Sequence, residues 1–177
     1  AKKAFQLESL LMAEDFWANV ESTGGGRSGY ARNGRLQPIA DDHALVLAQR
    51  RADTARALWQ QNATWEIVPA TDTPWEPASP SGWIIRDSLS GLIHPKGACM
   101  ALVQALAVKG VRVDAEGPDL GQVLWATGVA GLLDMTANHS RAVGNGVKGQ
   151  AALLAHDARG LPQLFAGGVH VIPHGDG

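Results

Sequence analysis

Residues 122–128 read Gln-Val-Leu-Trp-Ala-Thr-Gly, and they constrain this chain more than any other stretch. A short apolar strand is expected to run into Ala126-Thr127-Gly128, two small residues and a glycine where a backbone can approach a ligand closely. Such a strand end suits contact with a dinucleotide. Its other half should be a strand, a glycine-rich loop and a helix. Two runs satisfy G-x-G-x-x-G literally. Gly24, Gly26 and Gly29 follow a helical pattern and precede a hairpin pattern, so they fail both requirements. Gly144, Gly146 and Gly149 follow Ser140-Arg141-Ala142-Val143, a poor strand, but precede Gln150-Ala151-Ala152-Leu153-Leu154. A Rossmann-like site there requires a helix from Gln150 to about His156. No G-K-[ST] follows any glycine run, which excludes a P-loop.

The rest of the chain reads as short elements. Apolar residues at Phe5, Leu7, Leu10, Leu11, Ala13, Phe16, Trp17 and Val20 are spaced by threes and fours, giving an amphipathic helix that Gly24-Gly25-Gly26 ends. Residues 29–32 and 35–39 flank Asn33-Gly34 and predict a hairpin, because a tight turn needs residues that tolerate positive φ. Asp41-Asp42 starts a second helix to about Gln61. Short strands are expected at 65–68, 82–86 and 90–93, with a proline loop over 69–81. Pro95 opens a third helix that Gly110 closes. Val111-Arg112-Val113 and Val123-Leu124-Trp125 read as buried strands, and a short helix follows near 129–136. Residues 146–154, 161–165 and 169–173 favour strands, although 150–156 could be helical. Many strands with segregated helices predict an α+β fold: a mixed, largely antiparallel sheet with helices packed on one side.

Composition narrows the partners. With 177 residues, 45% hydrophobic and 18% charged, the chain can build one core or at most two small ones. A net charge of −2 provides no basic footprint for nucleic acid. The single cysteine, Cys99, excludes an internal disulfide framework and a multi-cysteine zinc site, and its apolar surroundings predict a buried, inert thiol. No stretch approaches the ~18 apolar residues of a membrane span. Lys2-Lys3 lacks the apolar run of a signal peptide, so a cytoplasmic protein is expected. The chain does not begin with Met, which suggests a processed, tagged or excised piece.

Other chemical candidates are few. His170 and His174 would share one face of a strand, with His94 or Asp176 as a third metal ligand, but Pro173 interrupts the run and no metal is expected. His94 precedes Pro95 and reads as a structural helix start. No G-x-S-x-G elbow is present. Trp75 and Trp83 flank the proline loop and could line a partner surface. Arg50-Arg51 reads as a solvated helix face.

Three segments together resemble the flavin-dependent D-amino-acid oxidase and glycine oxidase family. The first is Gly91-Leu92-Ile93-His94-Pro95, the helix from Ala98 to Leu106, and Gly110-Val111-Arg112-Val113. The second is Val123-Leu124-Trp125-Ala126-Thr127-Gly128, similar to the strand that enters the flavin site. The third is Gly146-Val147-Lys148-Gly149-Gln150 and then 164–177, which resembles the family's "P-V-[KR]-G-[QE]" strand and "hhhP-[RH]-x-[DS]-G" hairpin. The family more often has Asp or Asn at the His94 position, Pro at the Gly146 position, and a longer β excursion between Val113 and Val123. Its dinucleotide fingerprint lies upstream of such a helix, and its substrate-carboxylate arginine lies downstream.

The resemblance implies the substrate-binding domain of an FAD-dependent oxidoreductase that oxidises the C–N bond of an amine or amino acid. Residues 1–177 would form one such domain, incomplete as a reductase, with 111–136 contributing to a partial FAD-binding region. Ala126, Thr127, Gly128, Gly149 and Gln150 would border FAD. Lys148, His170 and Ile172 would lie on the substrate side. No catalytic residue is assigned, and the chain alone is expected neither to hold FAD tightly nor to turn over. Two other classes remain: a stand-alone ligand-binding or interaction domain, and the Rossmann-like binder using Gly144, Gly146 and Gly149.

Overall fold

The computed structural model describes residues 2–71 and 73–175. It holds four helices, α1 (Lys2–Gly24), α2 (Asp42–Trp59), α3 (Pro95–Val108) and α4 (Gly128–Ala137). Five strands, β1 (Arg35–Pro38), β2 (Trp65–Pro69), β3 (Trp83–Asp87), β4 (Gln163–Ala166) and β5 (Val169–Val171), form one sheet in the order β2-β3-β1-β4-β5. Only the β1–β4 pair is parallel. The fold is therefore α+β with a mixed, largely antiparallel, open sheet. No helix among the described residues is long and apolar enough to cross a membrane. The chain divides into two units: residues 1–113 with 155–177, and residues 114–154.

In the first unit, local chemistry sets the helix ends. The Asp41 carboxylate accepts a hydrogen bond from the Ala44 amide at 2.7 Å and caps α2. His94 caps α3: its Nδ1 accepts from the Gly97 amide at 3.0 Å, and Pro95 follows in the first turn. Residues Ala44, Leu45 and Ala48 of α2 pack on Ile85, Trp65 and Ile67 of the sheet and on Ile39, just past β1. A second core joins α1 to α3. Val20 and Trp17 meet Ala101, Ala105 and Leu102.

That helix seam accounts for the first glycine run. A Cβ on Gly24 would sit 2.5 Å from the Ala105 amide nitrogen, and one on Gly26 would sit 3.0 Å from the Ala101 Cα. The glycines let two helix backbones approach, which is a packing role. Ala98, Ala101 and Ala105 form the buried stripe of α3 at spacings of three and four. Cys99 lies about 100° around the helix from Ala98 and is exposed, contrary to the buried thiol expected from its apolar neighbours.

The Asn33-Gly34 hairpin does not form. A two-residue type I′ turn needs positive φ at both positions, and Gln60 is the one non-glycine residue described with positive φ. Gly34 alone turns. Its amide donates to the Ser90 carbonyl at 2.9 Å and its carbonyl accepts from Gln163 at 3.0 Å, so the turn is shared among three elements. β1 pairs with β3 and β4 instead, and Ala31 bridges to Leu92. The tight hairpin lies at β4–β5, where Gly167 and Gly168 have φ of 57° and 80° and Ala166 pairs with Val169.

The second unit contains α4 and irregular chain. Val123-Leu124-Trp125 is not a strand, and Leu124 and Trp125 are 91% and 72% exposed. Val111-Arg112-Val113, at the end of the first unit, is likewise not a strand and is exposed. A strand exists only by pairing, and neither run joins the sheet. Residues 150–156 are neither helix nor strand.

Candidate functional site

Ala126 and Thr127 lead into α4, and Gly128 is its first residue. Thr127 makes no side-chain cap, so the first-turn amides of α4 have no capping oxygen from it. Gly128 has φ of 63°, and a Cβ there would meet nothing within 4 Å. The first turn of α4 is exposed, and the Thr127 hydroxyl lies over it, where a Cβ on Gly131 would collide with it. Gly144 and Gly146 return along the same helix. A Cβ on Gly146 would lie 2.8 Å from Val129 Cγ2, and one on Gly144 would lie 3.1 Å from the Leu132 methyls. The Val143 amide donates to Thr136 Oγ1 at 3.1 Å. Close packing on α4 therefore explains these glycines. With no strand before them and no helix after, the Rossmann-like reading of Gly144, Gly146 and Gly149 is corrected. Lys148, Gly149 and Gln150 follow as exposed, irregular chain, not as a strand.

His170 and Ile172 belong to the first unit. His170 sits on β5, exposed, with its ring edge-on to Phe165 at 5.0 Å between centroids, and Ile172 follows the strand end at 40% exposure. β5 stops at Val171. The even spacing of His170 and His174 thus does not carry along one strand. His174 instead meets His94, ring centroids 5.2 Å apart at 74°. No group of three or more His, Cys, Asp or Glu suited to a metal ion occurs among the described residues. Asp176, the other suggested ligand, lies outside them.

Several polar arrangements escaped the sequence reading. Asp87, 3% exposed, accepts from the Leu89 amide at 3.1 Å, the Ser90 amide at 2.7 Å and the Ser90 hydroxyl at 3.0 Å, and its Oδ2 lies 3.3 Å from Arg35 Nε. Half-buried Glu21 accepts from both the hydroxyl and the amide of fully buried Ser28, at 2.5 and 2.7 Å. Those two bonds, the hydroxyl first, hold the Glu21 carboxyl below its ordinary pKa. Burial raises the Tyr30 phenol above its usual value. Trp75 donates to the Pro162 carbonyl at 2.8 Å and stacks on His156 at 6.1 Å, so it ties the proline loop to the approach of β4. Trp83 is 38% exposed. A groove of about 380 Å³ separates α2 from β2, lined by Gln49, Ala52, Asp53, Arg56, Trp65, Glu66 and Ile67. The one legible signal among these was Asp87, an acid closing the apolar strand Trp83-Ile84-Ile85-Arg86-Asp87.

No protein-family model matches the chain, and no curated protein matches it. Among solved structures, the glycine oxidase from Geobacillus kaustophilus matches with a TM-score of 0.47 at 14% identity. The match covers 60% of this chain and 29% of that one.

Proposed function

We propose that this chain is the substrate-binding portion of an FAD-dependent oxidoreductase acting on the C–N bond of an amine or amino acid, in the cytoplasm. The observation that carries the reading is the order of three segments, 91–113, 123–128 and 146–177. Two details of local structure support it. His94 caps α3 through a side-chain acceptor, and Asp or Asn, more frequent at that position in the family the segments resemble, are good capping residues too. Ala126-Thr127-Gly128 leads into a helix whose first residue, Gly128, has open space around it and whose first turn takes no side-chain cap from Thr127.

In this reading FAD supplies the chemistry by accepting a hydride. The protein binds and positions. The backbone of Ala126, Thr127 and Gly128 approaches the flavin nucleotide. Gly149 and Gln150 border the flavin, and Lys148, His170 and Ile172 face the substrate. The exposed, irregular segments 123–125 and 148–150 both depart from the strands that the family pattern implies.

The test is reductive titration of the protein produced with its natural flanking sequence. Under nitrogen, small amines and amino acids are added to flavin-loaded protein while the oxidised-flavin absorbance is followed. The proposal expects at least one of them to bleach it. A flavoprotein that no C–N substrate reduces would remove the assigned reaction.

A further inference from the structure

The groove beside β2 lies outside every segment that supports the proposed function. β2 is an edge strand of the sheet. The Ser88 amide donates to the Thr64 carbonyl at 3.1 Å, and the Ala70 amide donates to the Gly82 carbonyl at 2.8 Å. These two bonds, with the pairing register, make the even-numbered residues of β2 those bonded to β3. Antiparallel alternation then turns the N–H and C=O of Trp65 and Ile67, and the C=O of Pro69, to the open side. None of these groups has a backbone partner among the described residues. Along this edge Ala52, Asp53 and Arg56 of α2 form the far wall of the groove, and Trp65 and Ile67 form the near wall.

We propose that this groove binds an extended peptide of a partner protein, which adds to β2 as a further strand and carries an apolar–basic–apolar core. Alternating unpaired amides and carbonyls are satisfied best by another extended main chain. Residues placed opposite Trp65 and Ile67 share their face, the α2 side, where Ala52 and Ile67 offer a half-buried apolar floor. The residue between them projects to the other face beside exposed Glu66, which has Arg86 as its neighbour on β3 and no strand on its outer side. A basic side chain complements that position. A second copy of β2 fits less well. The self-pairing centred on residue 66 sets Glu66 against Glu66. Pairings shifted toward the strand's C-terminal end bring in Pro69, which has no amide to donate.

Fluorescence polarisation with a labelled, end-blocked Thr-Val-Lys-Val-Thr peptide and the whole chain tests this. Saturable binding is expected. Replacing the peptide lysine by glutamate should weaken it about tenfold. Ile67→Pro removes one outward amide at an edge position where proline is tolerated, and should weaken binding about fivefold. Because Ile67 also packs on the core, the ladder is broken independently by N-methylating the peptide on the amides that face β2, with unaltered protein, and a similar loss is expected. Absence of saturable binding overturns the proposal, as does binding indifferent to N-methylation or to the lysine. A concentration-dependent dimer abolished by Ile67→Pro would assign the edge to a second copy and overturn it equally.

Discussion

Gly24→Ala separates two opposed effects whose sizes are known. Alanine is the better helix former by up to ~1 kcal/mol, so at an open site on α1 the change should stabilise. Gly24 is not an open site. Its new Cβ would stand 2.5 Å from the Ala105 nitrogen and 2.9 Å from both the Ala105 Cα and the Gln104 carbonyl carbon. Comfortable carbon contacts lie near ~3.5–4.0 Å. The clash is with backbone, and Ala101 and Ala105 beside it are 0% and 6% exposed, so rotating a side chain cannot relieve it. The helices must separate by roughly 1 Å, and overpacking of this kind costs ~1–3 kcal/mol. The net expectation is a destabilisation of about 1–2 kcal/mol, read as a lower urea midpoint at unchanged slope. Gly25→Asn is the internal control. Gly25 has φ of 74° and open space around it, and asparagine tolerates that conformation, so its loss should be smaller. If Gly24→Ala proves neutral or stabilising, the α1–α3 seam is looser than described, and the packing explanation of the first glycine run fails.

Three further outcomes follow from the polar contacts. Asp87→Ala should cost about 2 kcal/mol in urea unfolding, because it leaves the amides of Leu89 and Ser90 without their acceptor and the part-exposed Arg35 guanidinium without its carboxylate; a loss within error would contradict that assignment. His94→Ala should cost about 1 kcal/mol, whereas His94→Asn should recover most of it by supplying another cap acceptor. Glu21 has its pKa lowered in the folded chain, so its contribution is full above the ordinary value of 4.5 and is lost as pH falls through the lowered value. Stability of Glu21→Gln should therefore vary less between neutral pH and ~pH 3 than that of the parent, and equal pH dependence would argue against the Ser28 contacts.

Elements with chemical punctuation were legible from the sequence. Asp41 and Pro95 mark the starts of α2 and α3 through amides they cap or lack, and Gly110, at φ of 75°, lies just past the end of α3. Strands β2 and β3 were readable from their β-branched and aromatic residues. Features that depend on distant partners were not. Asn33-Gly34 has hairpin chemistry, but β1 is claimed by β3 and β4, both distant from it in sequence. Val123-Leu124-Trp125 has strand composition but no strand beside it among the described residues. Cys99 was misplaced because an apolar run does not say which helical stripe is buried, and here the alanine stripe is. The first glycine run was recognisable as failing the nucleotide context, the second was excluded only by the missing helix after Gln150, and the packing role of each needed α3 and α4 in place. The groove at the edge of β2 was invisible, since it is made by register and by α2 lying beside it.

The central claim is that the head of α4 belongs to a flavin site. Its most direct measurement is the absorption spectrum, after gel filtration, of the protein made with its natural flanking sequence, alongside Gly128→Val. Retained oxidised flavin is expected in the parent and a clear loss of it in the variant, whose side chain would fill the open space at Gly128 and strain its backbone. A parent protein that elutes without flavin, even when purified with added FAD, would contradict it.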